Sequence, residues 1–213
     1  MGEAEHMSSN PNRNEVLTVG HSTQSQQRFI SLLLGAGVTA VADVRTSPYS
    51  RHSPQFNRED LSQDLRQCGI SYVFLGKELG GRPRERGLYC EGVADYERMA
   101  QTIEFKRGLD RILEGVKKYR VALMCSERDP LDCHRCLLVS RALAQRGVQV
   151  KHILDSGDLV SHDEIEDQLL NLSGRNADDL FAPRAERLAA AYRERARRVA
   201  FAEPSTNLNS AAE

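Results

Sequence analysis

Apolar residues in this chain fall into short runs bounded by glycine and polar turn residues. Val16-Leu17-Thr18-Val19, Val38 to Val44, Ile70 to Leu75, Val121 to Met124 and Val148 to Leu154 are compact and rich in β-branched side chains, which predicts strands buried on both faces. Segments with helical spacing lie between them. Phe29, Ile30, Leu33 and Leu34 share one face of a helix for which Ser22 or Thr23 is the expected cap, closed by Gly35 and Gly37. Asn57 is the expected cap of a second helix through Leu61 and Leu65, ended by Gly69. Tyr96 to Lys118 reads as a helical region broken near Gly108, Leu137 to Leu143 as a helix ended by Gly147, and Glu164 to Leu170 as a short one. Strands alternating with helices through short connections predict an α/β fold. The expected architecture is a mainly parallel sheet with helices on both faces, Rossmann-like and three-layered, plus a C-terminal basic helix.

The pattern changes after Leu172. Ser173 to Asn176 looks like a linker, and Pro183 opens a helix from Arg184 to Phe201 that carries Arg184, Arg187, Arg193, Arg195, Arg197 and Arg198. The chain therefore divides into a flexible leader (1–14), an α/β domain (15–172), a linker with a C-terminal helix (173–203) and a disordered tail (204–213). The plainer reading of the basic helix is a solvated element packed through Leu188, Tyr192 and Val199. The sharper one is a stripe that contacts nucleic-acid phosphates.

Composition narrows the classes. The 213 residues are 40% apolar, with 29 Lys plus Arg against 30 Asp plus Glu, so overall charge favours no partner. No apolar run approaches the roughly 20 residues that span a bilayer, and the start lacks the apolar core of a signal peptide. No membrane partner is expected. Five cysteines, an odd number in a chain of this size, fit a reducing cytoplasm better than a disulfide framework.

In a parallel α/β sheet, ligands bind outside the carboxyl ends of the strands. His21, Arg45, Lys77 with Glu78, and Cys125 with Glu127 stand at those ends, and the loop from Ser47 to Pro54 adds Arg51 and His52. The densest piece runs from Cys125 to Arg135, from a strand end through an Asp129-Pro130 turn into a helix. Asp132 is its expected cap, with Cys133, His134 and Arg135 in the first turn. Free amides there attract anions and favour a thiolate. Cys125 or Cys133 is accordingly expected to react ahead of Cys68 or Cys136.

Three readings compete for this segment. One is an anion or nucleotide pocket in which Arg135 grips a carboxylate or phosphate. The second is thiol catalysis by Cys125 or Cys133, with His134, His21 or His52 as base. The third is a metal site from Cys125, Cys133 and a histidine. It ranks last, because close Cys-x-x-Cys spacing occurs once, from Cys133 to Cys136 within a helix, and no metal ligand is assigned. Leu131 stands where a cysteine phosphatase would carry the arginine six residues after Cys125.

Taken together, several short pieces resemble the bacterial domain-of-unknown-function 488 family. They are Thr18-Val19-Gly20-His21-Ser22; Asp43-Val44-Arg45 with Pro48, Ser50-Arg51 and Pro54-Gln55-Phe56; Leu75-Gly76 with Leu79-Gly80-Gly81; and Cys125-Ser126-Glu127 through Cys133-His134-Arg135. The resemblance spans roughly Val16 to Leu170. It implies an α/β domain with one shared polar site and names no reaction. The constellation it implies is His21, Arg45, Ser50, Arg51, Cys125, Glu127, Cys133, His134 and Arg135.

The leading expectation is an enzyme acting on an anionic substrate, a nucleotide or a nucleic-acid base. Cys125, Glu127, Cys133 and His134 would be catalytic, and His21, Arg45, Ser50, Arg51 and Arg135 would bind substrate. The alternatives are a non-catalytic nucleotide or nucleic-acid binding module, and a thiol-based redox or metal-binding protein. No sequence feature names a cofactor or an oligomeric state.

Overall fold

A computed structural model describes residues 14–176 and 182–203. The expected leader apart from Asn14, the middle of the expected linker, and the expected tail lie outside the described residues. The strands are β1 (Glu15–Gly20), β2 (Ala40–Asp43), β3 (Ser71–Phe74), β4 (Tyr89–Cys90), β5 (Val93–Ala94), β6 (Val121–Cys125), β7 (Gln149–Ile153) and β8 (Leu159–Ser161). The helices are α1 (Gln26–Gly35), α2 (Arg58–Gln67), the single turn α3 (Gly76–Leu79), α4 (Tyr96–Gln101), α5 (Ile103–Val116), α6 (Arg141–Ala144), α7 (His162–Leu172) and α8 (Arg184–Val199).

Six strands form one sheet in the order β3-β2-β6-β1-β7-β8, and a small β4-β5 hairpin stands apart. All neighbours in the main sheet are parallel except β7 and β8. The expected α/β architecture is what the chain adopts. Every residue of β2 and β6 is buried, because helices cover both faces. Leu17, Val19, Ala122 and Met124 pack against Phe29 of α1 and Leu61 of α2. Val16, Leu123 and Cys125 face the other way, onto Phe105 and Leu109 of α5, Ile165 of α7 and Tyr192 of α8. From β1 the chain moves out through β2 to β3, then returns to place β6 between β2 and β1. Such a reversal of strand order opens a crevice at the carboxyl ends.

Local chemistry sets the boundaries, and several differ from the expectations. Ser25 caps α1 by accepting the Arg28 amide at 3.2 Å; Ser22 instead sits in a left-handed turn with φ 48°. The long helical region breaks at Thr102, which turns extended and accepts the Phe105 amide at 3.2 Å as the cap of α5. Gly108 lies inside α5, where a Cβ would stand 2.7 Å from Leu79, so it permits close approach to α3 rather than a break. Asn57 does precede α2, but its side-chain oxygen accepts the Ser50 amide at 2.8 Å. Sequence patterning had marked neither β8 nor the β4-β5 hairpin. A reciprocal capping box joins Ser161 and Glu164 at the start of α7.

Candidate functional site

The carboxyl ends of β2 and β6 lie side by side, since Asp43 pairs in register with Met124. Beyond them opens a cavity of about 390 Å³. Arg45, Ser50, Cys125, Glu127, Cys133 and His134 all line it, together with Gly81, Arg82, Tyr49, Tyr96 and Phe201. His21, Arg51 and Arg135 are not among the lining residues. Six of the nine expected site residues thus meet at one cavity, and three do not.

The two sulfurs and the imidazole form its floor. Cys125 ends β6, and Cys133 immediately precedes the helical run of residues 134–144. Asp132 is not the cap of that run. Cys133 takes the position itself, with extended backbone angles of −135° and 138°, and its sulfur accepts the Arg135 amide at 3.4 Å. Asp132, which also lines the cavity, pairs instead with Arg195 of α8. After this cap, Arg135–Ser140 winds as a π-helix before α6, and the Ser140 hydroxyl donates to the Arg135 carbonyl at 2.7 Å. Wide turns of this kind are frequent at functional sites.

His134 is held in one orientation. Its Nε2 donates to the Val44 carbonyl at 2.9 Å, which leaves Nδ1 aimed at Cys125 Sγ, 3.6 Å away, and Cys133 Sγ, 3.9 Å away; against the effect of burial, the Cys133 sulfur raises the pKa of the ring. Gly81 packs against the ring; a Cβ there would stand 2.8 Å from it. Burial opposes ionisation of Cys133, yet a hydrogen bond from the Cys125 thiol, the Arg135 guanidinium and His134 together draw its pKa well down. The same sharing, with burial, pushes Cys125 up. Glu127, exposed at the cavity wall, is raised by desolvation and by the Cys133 sulfur.

Arg45 and His21 belong to a buried network behind this floor. Asp43 accepts Arg45 Nε at 2.9 Å, Arg45 Nη2 at 2.7 Å and the Tyr72 hydroxyl at 2.7 Å. Arg45 also donates to the Phe56 carbonyl at 2.9 Å. His21 donates through Nδ1 to Ser22 O and accepts from Arg45 through Nε2 at 3.3 Å, and its ring stacks on Phe56 at 4.2 Å. Burial, assisted by Arg45, depresses its pKa to about 4. Ser50 accepts the amides of His52 and Ser53, both at 3.2 Å, and so folds the loop over the cavity. Arg51 and His52 are exposed.

Arg135 is the largest fully buried side chain. It donates to the carbonyls of Glu127 at 2.5 Å and Arg128 at 3.0 Å. Its two terminal nitrogens are committed to the loop that presents Glu127, while Nε is buried without a hydrogen-bond partner; Arg135 positions that loop and is not among the residues that line the cavity. Gly20 serves the same contact: a Cβ there would lie 1.8 Å from Glu127 O.

Sequence reasoning passed over Arg82, Tyr49, Tyr96 and Phe201. Arg82 follows Gly80-Gly81, and paired glycines beside an arginine mark a close backbone approach; its amide donates to Thr46 Oγ1 at 3.0 Å and its guanidinium lies 4.8 Å from the Phe201 ring. Phe201 lies 75 residues beyond Ser126 in the chain and no local signal ties it to the site. It arrives because Ala94 donates to its carbonyl at 2.9 Å and Ala202 bridges to Val93.

Two clusters have the ligand types a metal ion takes: Cys125, Cys133 and His134, and Cys136, His152 and His162. In the second, every imidazole nitrogen is already paired. Thr18 Oγ1 bonds His152 Nδ1 at 2.8 Å, His152 Nε2 bonds His162 Nδ1 at 3.0 Å, and His162 Nε2 bonds the Tyr192 hydroxyl at 3.1 Å. Tyr192 in turn donates to Glu166 at 3.0 Å. That chain is a satisfied core network tying α8 to β1.

With the geometry in place, comparison with known proteins adds one finding. The family model described as "Domain of unknown function DUF488" matches residues 25–142. The chain belongs to this family. The matched DUF488 region spans α1 through the start of α6 and includes the cavity floor, whereas α8 and Phe201 lie beyond it. Neither curated proteins nor solved structures give a match. Among the described residues, no helix is long and apolar enough to cross a membrane.

Proposed function

We propose that this DUF488 protein is an enzyme acting on an anionic, nucleotide-class substrate held in the cavity. Glu127 is its acid–base group beside a floor of Cys125, Cys133 and His134; Ser50 and Arg82 bind the substrate, and Arg45 supports the wall behind them. The observation that carries this reading is the meeting of a carboxyl group, two sulfurs and an oriented imidazole at one cavity, at the carboxyl ends of β2 and β6. A volume of about 390 Å³ lies within the range for small-molecule sites. Tyr49 and Phe201 offer ring faces on which a base can stack, and Arg82 supplies a cation beside them. Glu127 projects into the same space and is the natural carrier of a proton to or from the reacting atoms. His21 and Arg135 act through position, and Arg51 has no assigned contact with the cavity.

Nucleoside monophosphates are the first probe. Arg82→Ala should weaken their binding about 10- to 150-fold, the loss of one charge-assisted contact of about 1.5–3 kcal/mol. Glu127→Gln should retain binding and lose turnover in the same assay. Binding by the native chain without conversion of any nucleotide or single-stranded oligonucleotide would instead favour a binding module. The basic stripe on α8 adds little to a nucleic-acid reading. Arg184 pairs with Glu166 and Asp167, Arg193 with Glu97, Arg195 with Asp132 and Arg198 with Glu194.

A further inference from the structure

We propose that Cys125, Cys133 and His134 hold a divalent ion of the zinc class, with its fourth coordination position open to the cavity. Tetrahedral zinc with bonds of about 2.3 Å to sulfur and 2.05 Å to nitrogen sets its sulfur and nitrogen ligands about 3.6 Å apart. The two sulfur–nitrogen separations are 3.6 and 3.9 Å, and all three ligand atoms lie within 4.8 Å of one another. Both separations are also within reach of sulfur–nitrogen hydrogen bonds, which coordination of all three atoms to one ion would replace.

A metal-bound histidine donates its far N–H to a carbonyl or carboxylate, which fixes the tautomer and the ring. His134 Nε2 does this to Val44 O at 2.9 Å, and Gly81 closes on the ring behind it. The contrast with Cys136, His152 and His162 is sharp, because there no imidazole nitrogen remains for a metal.

Access and charge agree. Cys125 and Cys133 are only 3% and 1% exposed, which suits sulfurs that point inward to a shared ion more than a nucleophile that must reach a substrate. Two thiolates and a dication sum to zero beside a neutral imidazole, so the buried centre carries no net charge. The cavity touches all three ligands and Glu127, so one position remains for water or substrate. An ion there would supply a Lewis acid that lowers the pKa of bound water, and Glu127, which lines the same cavity, would be the acceptor for the proton released. This last role rests on the cavity being a substrate site, as proposed above, whereas ion binding does not.

The test is metal content and spectroscopy on the full chain, purified without chelator or affinity-tag metal. Zinc should co-purify at about one ion per chain. Exchange with cobalt(II) should give the intense visible bands of a tetrahedral thiolate site, removed by chelation. Cys133→Ser and His134→Ala should lose the ion, while Cys136→Ser and Cys68→Ser retain it. Gly81→Ala, which crowds the His134 ring, should release it faster to a chelator even where the ligand variants fail to fold. A native protein that neither carries zinc nor binds cobalt, or one that loses its metal with Cys136→Ser and keeps it with Cys133→Ser, overturns the proposal. Metal-free protein with Glu127-dependent turnover removes the ion and leaves the enzymatic reading standing. Bound metal in a protein that binds no nucleotide does the reverse.

Discussion

Replacement of Arg135 by methionine separates a positioning role from a ligand-binding one. Methionine keeps much of the apolar stem and removes the guanidinium. Two charge-assisted bonds disappear, to the carbonyls of Glu127 and Arg128. At about 1.5–3 kcal/mol each they amount to about 3–6 kcal/mol, a large part of a typical total of about 5–15 kcal/mol. Both carbonyls belong to the loop that carries Glu127, so the cavity wall should loosen as stability falls. The assay is urea unfolding followed by circular dichroism. With a slope of about 2–3 kcal/mol/M, the midpoint should fall by roughly 1–3 M without a change of slope. Arg128→Ala is the control. Its side chain is 70% exposed in a surface pair with Asp155, and such pairs contribute about 0–1 kcal/mol. Equal midpoints for the two variants would refute the assignment of Arg135 to the loop, and a stable Arg135→Met protein with weakened nucleotide binding would return it to the substrate.

Gly20→Ala should be strongly destabilising, since its methyl would meet the Glu127 carbonyl at 1.8 Å and backbone cannot yield as a side chain does; a native-like melting temperature would show that the loop can move. Burial holds His162 neutral, with its pKa lowered to about 4. The unfolded chain takes up that proton first, so stability should fall as pH drops from about 6.5 towards 4, by about 3 kcal/mol in all. Urea midpoints across that window should fall more steeply in the native chain than in His162→Gln, which keeps the contribution of His21. Cys68 is exposed while Cys125, Cys133 and Cys136 are buried. Alkylation at neutral pH should therefore label Cys68 before the floor cysteines, reversing the order expected from helix-start chemistry alone. Mass-spectrometric mapping that finds Cys133 labelled first would restore it.

Much of the fold was legible in the chain because its cause is local. The runs Val16 to Val19 and Val121 to Met124 are apolar without alternation, which occurs when both faces of a strand are covered, and all five expected strands lie in the sheet. Glycines after helical spacing marked the helix ends, as Gly69 and Gly147 show with φ of 74° and 79°. The brief edge strand β8 and the two-residue strands of the hairpin carry too few residues to impose a period.

The site was legible only in part. Arg45, Ser50, Cys125, Glu127, Cys133 and His134 could be grouped because ligands in such sheets gather at carboxyl ends. What a side chain does once there depends on its neighbours. Arg135 and Cys133 are two positions apart, yet the helix start turns one sulfur into a cap at the cavity floor and sends the guanidinium under the loop. Asp132, the better capping residue by type, is instead paired with Arg195 of α8, 63 positions away in sequence. Phe201 reaches the cavity through backbone pairing with the hairpin, and main-chain hydrogen bonds carry no residue-specific signal. Sequence alone determined the layers, the end of the sheet that bears the chemistry and the segment that supplies it. Tertiary structure decided which of those polar groups face the cavity and which are consumed in building it, because buried donors and charges must be satisfied by whatever the packing brings within reach.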